Sequence, residues 1–294
     1  MIDLVKQSAD APAAGAATVS VTGRLIEMLL ADMPECAAQA SRFSADEEAQ
    51  RTLLRGLMNM RSAQLPLGEE FFKLQDELLA GELAARQLTG IDDLRPVTRH
   101  PCLRHWHGDI TALRVDAIVN AASPDLLGCF IAGHACVDNC VHSAAGLQLR
   151  HTCRQLMKGT RLKPGEARLT PAFNLPCRYV LHTVPPQIGW QLSQEEDELL
   201  CSCYRSCLEL ARRQQVKSLA FCCLGTGQAR FPHGRAATLA VQTVIDDLDA
   251  HSQDLTVVFV TYTEVDDEIY AHQLNPDPEQ AKRDEHPFFN LSLI

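Results

Sequence analysis

The sequence lacks an excess of positive charge, a long apolar run and any internal repeat. Its formal net charge of -10 excludes the basic surface that non-specific nucleic-acid binding requires. No apolar run approaches the roughly 18–20 residues of a membrane-spanning helix. The first ten residues lack the charged-then-apolar layout of a secretory signal. No nucleic-acid partner, no membrane and a cytoplasmic location are therefore expected. With 46% hydrophobic and 22% charged residues over 294 positions, the chain has room for one large domain or two modest ones.

Cysteine, by contrast, is abundant, at twelve residues. In a small secreted chain that count would suggest a disulfide framework. Here the length and the missing signal favour free, buried or metal-bound thiols. Cys177, Cys201, Cys203, Cys207, Cys222 and Cys223 sit in apolar or amphipathic runs and are read as small core hydrophobes. Cys129 and Cys136 taken singly would be read the same way, but their neighbourhood differs. Cys129, His134 and Cys136 fall within eight residues, with Asp138 just beyond. Two thiols and an imidazole suit a borderline-soft ion such as zinc, and three protein ligands leave one tetrahedral position open. A carboxylate two residues past the last ligand could handle the proton of a metal-activated water.

Along the chain, residues 1–18 are Ala-rich without a strong period and are expected to fray. From 19 to 87 apolar residues recur at helical spacing: Leu25, Ile26, Met28, Leu29 and Leu30, then Leu53, Leu54, Leu57 and Met58, then Phe71, Phe72, Leu74, Leu78 and Leu79. Pro34 and the 66–68 segment break this pattern. After Pro96 strands and helices alternate. Strands are expected at 117–119, 179–184, 218–224 and 255–262. Helices are expected at 135–157, 195–214, 234–248 and 265–274. This alternation predicts an α/β fold with helices covering a mainly parallel or mixed sheet. The charged tail after Asn275 is expected to pack loosely, with Phe288 and Phe289 able to pin its end.

Two further segments carry chemistry. In Trp106-His107-Gly108-Asp109-Ile110-Thr111 the glycine permits a sharp turn, and Asp109 can either cap that turn or accept from an exocyclic amine. In the 115–123 segment a buried strand ends in Asn120, two alanines and Ser123. Small residues at that end let a ligand approach the backbone, where open α/β sheets bind ligands.

Gly-Asp-Ile-Thr at 108–111, a short spacer, then Asp-Ala-Ile-Val-Asn-Ala-Ala at 116–122, resembles the opening signature of the macrodomain, the ADP-ribose-binding α/β fold. The 127–150 segment, with its Cys-x4-His-x-Cys, Val-Asp-Asn and His-Ser-Ala-Ala-Gly-Leu-Gln-Leu-Arg, is similar to the zinc-containing branch, known for removing ADP-ribose from proteins. That resemblance implies a macrodomain with a mixed central sheet over 96–275, a helical N-terminal extension over 1–95 and a tail over 276–294. It implies that Asp109 binds the adenine amine, with Ile110 at the neighbouring backbone edge. Asn120 would brace the loop at the strand end and belong to the catalytic and ligand-binding set. Cys129, His134 and Cys136 would hold Zn2+ beside the distal ribose, with Asp138 as the acid/base. Gly225, Thr226, Gly227, Gln228, Ala229, Arg230 and Phe231 would form a phosphate loop. There glycine N–H groups converge on the diphosphate, aided by the dipole of the helix starting near Pro232.

The chain departs from the family at two points. Ser123 stands where many relatives have an Asn that contacts the distal ribose, and its reach is shorter. Gly225 replaces a common Ser, and Ala229 the aromatic residue over the ribose, a change that either loosens the ribose packing or opens room for a larger substrate. Arg230 is either a phosphate partner or a solvated side chain.

Other residues are read conservatively. Cys140 is packing or an alternative ligand. His142 and His182 are satisfied core histidines. Residues 195–198 form the acidic start of a helix. His105, His107 and His233 flank the pocket without an assigned role.

The leading expectation is a zinc-dependent hydrolase that removes mono-ADP-ribose from protein side chains, with an O-linkage favoured. Its alternatives are an ADP-ribose reader without catalysis, an O-acyl-ADP-ribose deacylase, and a metal-buffering or redox protein outside the family. The substrate is then ADP-ribose on a protein, and the zinc branch has a family association with lipoyl-carrier protein.

Overall fold

The computed structural model describes residues 20–251 and 254–276. The expectations for 1–18 and for Phe288 and Phe289 lie outside them.

The first region is helical because each apolar stripe begins at a defined cap. Ser20 accepts from the Gly23 N–H and starts α1 (Val21–Asp32). The short α2 (Ala37–Ala40) follows Pro34. Asp46 accepts from the Ala49 N–H and starts α3 (Glu47–Met60), whose first turn carries Glu47 and Glu48 against the positive end of the helix. α4 (Glu69–Ala85) begins after Gly68. Leu25, Leu29, Leu54, Leu57 and Phe71 close a small core with Leu147, which comes from later in the chain.

The second region is built on a sheet. In chain order its elements are β1 (Thr89–Gly90), β2 (Leu103–His107), β3 (Leu113–Arg114), β4 (Ala117–Ala121), α5 (Val137–Ala145), α6 (Leu147–Met157), β5 (Ala167–Pro171), β6 (Tyr179–Thr183), α7 (Gln194–Arg213), β7 (Ser218–Cys222), α8 (His233–Ala250), β8 (Thr256–Thr261) and α9 (Glu264–Leu274). β1 and β3 form a two-stranded sheet of their own. The main sheet is six-stranded, in the order β2-β8-β7-β4-β6-β5. All its pairings are parallel except that of β5, which runs antiparallel to β6. The mixed α/β architecture expected from the alternation is therefore present.

The central strands are apolar on both faces because helices cover both, as parallel sheets require. β2 and β5 escaped the sequence reading for the converse reason. Both are edge strands with polar, partly exposed residues such as Arg104, His105 and Arg168. The continuous helix expected over 135–157 is two helices. Gly146, at φ 90°, ends α5 and starts α6, and a Cβ there would collide with the Gln75 side chain. Gln75 of α4, fully buried, accepts from the Leu147 N–H at 2.8 Å. The first region thus caps a helix of the second.

Among the described residues no cysteine forms a disulfide. Cys201, Cys203, Cys207 and Cys222 are buried as expected, while Cys177 and Cys223 are only partly so. Residues 195–198 do open a helix, α7, behind a Ser193–Glu196 capping box. No described helix is long and apolar enough to cross a membrane.

Candidate functional site

Parallel pairing puts the carboxyl ends of β2, β8, β7 and β4 side by side along one edge of the sheet. Four loops leave that edge in the same order. β2 leads to Gly108 and Asp109, β8 to Tyr262, β7 to the 225–231 loop and β4 to Ser123 and the 129–136 loop. At the usual strand spacing this row spans about 14 Å, which suits an elongated ligand lying across the edge.

At the β4 end, Asn120 is fully buried. Its amide donates to Asp138 Oδ1 at 2.7 Å and lies 3.3 Å from His182 Nδ1. Its own carbonyl oxygen has no partner. Asp138 sits in the first turn of α5. Burial pushes its carboxyl up to about 6, opposed by the Asn120 hydrogen bond and the charge of Arg150. A carboxylate so placed takes and releases a proton near neutrality.

Cys129, His134 and Cys136 place their ligand atoms within 4.8 Å of one another, with Cys129 Sγ 3.5 Å from His134 Nδ1. Cys136 caps α5, its sulfur accepting from the Asn139 N–H at 3.4 Å. Burial pushes the Cys136 thiol up, and the neighbouring Cys129 adds to the effect. Thiols gathered this way are poor as free anions and suited to a cation that offsets their charge. The donor set of two sulfurs and one imidazole fits zinc. Cys140 faces elsewhere, 3.7 Å from an Arg55 nitrogen.

The 225–231 loop is closed by its own backbone. The Phe231 N–H donates to Gly225 O at 2.9 Å and the Arg230 N–H to Gly227 O at 3.0 Å. Gly225 has φ 88°, and its missing side chain leaves space for Phe231. Gly227, Gln228 and Arg230 are exposed, whereas Ala229 and Phe231 turn their side chains inward. The Thr226 hydroxyl donates to Cys223 O at 3.3 Å. The loop runs directly into the amino end of α8.

Asp109 Oδ1 accepts from the Thr111 N–H and hydroxyl at 2.9 and 2.8 Å, capping the short turn that contains Ile110. Its Oδ2 accepts from Arg86 at 2.8 Å. The Ser123 hydroxyl is committed to Asp125 at 2.7 Å.

Several neighbours had no role in the sequence reading. Arg86 follows α4 directly, yet it meets Asp109. Tyr262 is 72% exposed at the end of β8, beside Gly108, whose N–H donates to Thr261 O. An aromatic residue directly after an apolar run was the one signal available in the sequence. His105 and His107 both lie against Asp267, and His233 against Asp266. His182 is satisfied by Thr170 at 3.0 Å. His142 is buried but neither ring nitrogen has a hydrogen-bond partner, so the expectation of a satisfied histidine does not hold there. Its Nε2 lies 3.6 Å from Asp138 Oδ1.

Comparison with known proteins agrees with this geometry. The family model for the Macro domain matches residues 119–240. A protein-ADP-ribose hydrolase of Treponema medium is 45% identical over 250 residues, spanning 84% of this chain and 95% of its own. A protein-ADP-ribose hydrolase of Staphylococcus aureus (strain MRSA252) is 41% identical over 230 residues, spanning 77% and 85%. Among solved structures, the Trypanosoma brucei macrodomain in complex with ADP-ribose superimposes with a TM-score of 0.60 at 28% identity, over 74% of this chain and 95% of that one.

Proposed function

This chain belongs to the macrodomain family, and from that premise we propose that it is a protein-ADP-ribose hydrolase that releases mono-ADP-ribose from oxygen-linked protein side chains with the help of zinc. The observation that carries the reading is the buried Asn120–Asp138 pair, set at the end of β4 beside the three-ligand loop. Asp109 and Ile110 receive the adenine edge, and the exposed ring of Tyr262 offers it a flat apolar surface. The free N–H groups of the 225–231 loop and the amino end of α8 receive the diphosphate. The distal ribose then falls at the β4 end, over Ser123 and Asp138.

Cys129, His134 and Cys136 would hold the zinc, which supplies Lewis acidity beside the distal ribose. Asn120 fixes Asp138 through Oδ1. Asp138 takes a proton from the water whose oxygen forms the new bond at the anomeric carbon. The bond from that carbon to the side-chain oxygen breaks; a carboxylate leaves as the anion, and a hydroxyl side chain leaves with the proton that Asp138 has taken.

Incubation with a mono-ADP-ribosylated protein, with and without a zinc chelator, tests the reading. Release of ADP-ribose that the chelator abolishes supports it. Release unaffected by chelation removes zinc from the reaction. Binding of ADP-ribose without release favours the reader reading, which the committed Ser123 hydroxyl supports: no amide reaches the distal ribose from that position.

A further inference from the structure

The 129–136 loop has little to hold it from within. Among the described residues, one backbone hydrogen bond closes it, from the His134 N–H to Ile131 O at 3.2 Å. Its Phe130 and Ile131 side chains are exposed. What anchors it comes from outside, and much of that belongs to α3.

Asn59, on the last turn of α3, is 2% exposed. Its Oδ1 accepts from the Gly133 N–H at 3.0 Å, one residue before His134. Its amide donates to Ser143 of α5 at 3.0 Å. Ser143 donates to Asn139 Oδ1 at 3.2 Å, and Arg55 of α3 donates to the same oxygen at 3.0 Å. The Asn139 amide completes the circuit by donating to Ile131 O at 3.0 Å.

A second clamp grips the other end of the loop. Arg150 of α6, also 2% exposed, donates through Nε to Leu127 O at 2.7 Å. Its Nη1 is shared among the α3 carbonyls of Met58 and Asn59, both at 2.9 Å, and the Arg61 carbonyl just after the helix at 2.8 Å. These carbonyls end a helix and have no partner within it. The Phe130 ring lies 4.5 Å from the guanidinium.

We infer that α3, acting through Asn59 and gripped by Arg150, positions the three ligands, so that the helical extension sets the metal affinity of the site. The inference rests on the zinc reading above. Both clamps act on backbone atoms, at Leu127 and Gly133, that bracket Cys129 and adjoin His134. A ligand set works only when its supports hold it within a fraction of an ångström. Loss of such outer supports weakens metal binding by about 10–100-fold. A helical region that merely covered the sheet would tolerate the loss of Asn59 at the cost of stability alone.

The test measures zinc dissociation constants of the full-length protein by competition with a chromophoric chelator. Asn59→Ala is expected to weaken zinc about 10–100-fold. Leu25→Ala, which removes a packing contact of the small helical core but no hydrogen bond to the loop, is expected to lower the melting temperature and leave zinc affinity at the wild-type value. Wild-type affinity in Asn59→Ala overturns the inference, as does an equal loss in Leu25→Ala. If Asn59→Ala does not fold, Asn59→Asp keeps an acceptor for the Gly133 N–H. It should bind zinc more tightly than Asn59→Leu, and equal affinities overturn the inference. A wild-type protein that binds no zinc is a separate result and overturns the metal reading itself.

Discussion

The 129–136 loop and the 225–231 loop leave the carboxyl ends of neighbouring parallel strands, yet they are held in opposite ways. The glycine-containing loop is closed by its own backbone, through Gly225, Gly227, Arg230 and Phe231. It offers main-chain N–H groups, so the side chains it exposes matter little. The cysteine–histidine loop offers side chains and is held by Asn139 just beyond it and by residues 59 and 150, distant in sequence. A backbone binding surface can be built locally from turn geometry. A side-chain ligand set needs directions imposed from several elements, and here a separate helical region contributes them.

The largest effect that would test this contrast lies at the catalytic end. Asp138→Ala is expected to lower kcat by about 10²–10⁴-fold while ADP-ribose binding, measured by calorimetry, stays within a few-fold of wild type. Unchanged turnover would remove Asp138 from the reaction. At the other loop the pattern reverses. Gly225→Val forces a branched side chain into φ 88° beside Phe231, at about 1–3 kcal/mol. Calorimetry is expected to show weaker ADP-ribose binding, with zinc content unchanged. A loss of zinc in that variant would show that the two loops are not independently held.

The third expectation concerns the sheet beneath both loops. Burial holds His182 neutral down to about pH 3, against its ordinary value of 6.5. The unfolded chain protonates it near 6.5, so in this window the unfolded state binds more protons. Stability is therefore full above pH 6.5 and falls as pH drops toward 3. Facing His182 are His142, likewise held neutral by burial, Cys153, Thr170 and Asn120. His182→Gln is expected to flatten the dependence of melting temperature on pH, and an unchanged slope would assign that slope to other groups.

The smallest effect lies at the adenine end. Arg86 and Asp109 are both partly exposed, so Arg86→Ala is expected to change stability by less than about 1 kcal/mol. If Arg86 only orients Asp109, ADP-ribose binding should weaken a few-fold with kcat intact. A fall in kcat alone would place Arg86 in the reaction instead.

Much of this architecture could be read from the chain. The buried strands at 117–121, 179–183 and 256–261 are apolar runs, and α3 and α7 show their caps and periodicity. The polar edge strands β2 and β5 were not legible, because a strand with one solvated edge need not be apolar. Nor was the break at Gly146, since a lone glycine within a helical pattern shows its φ only when packed against Gln75. The cluster of Cys129, His134 and Cys136 was visible because its members are close in sequence. Asn120 and Asp138 were both singled out, but their hydrogen bond depends on where α5 docks against β4.

By itself the sequence determined the local matters: which segments become helices and buried strands, and which donors share the 129–136 loop. Those follow from periodicity, caps and short-range spacing, which neighbouring residues settle among themselves. Only the tertiary structure decided that Arg86 meets Asp109 and that Asn59 and Arg150 grip the ligand loop. The physical reason is distance along the chain. Residue 59 and residue 133 meet only after α3 has packed on α5 and excluded the water that would otherwise satisfy both groups, and no local pattern encodes that encounter.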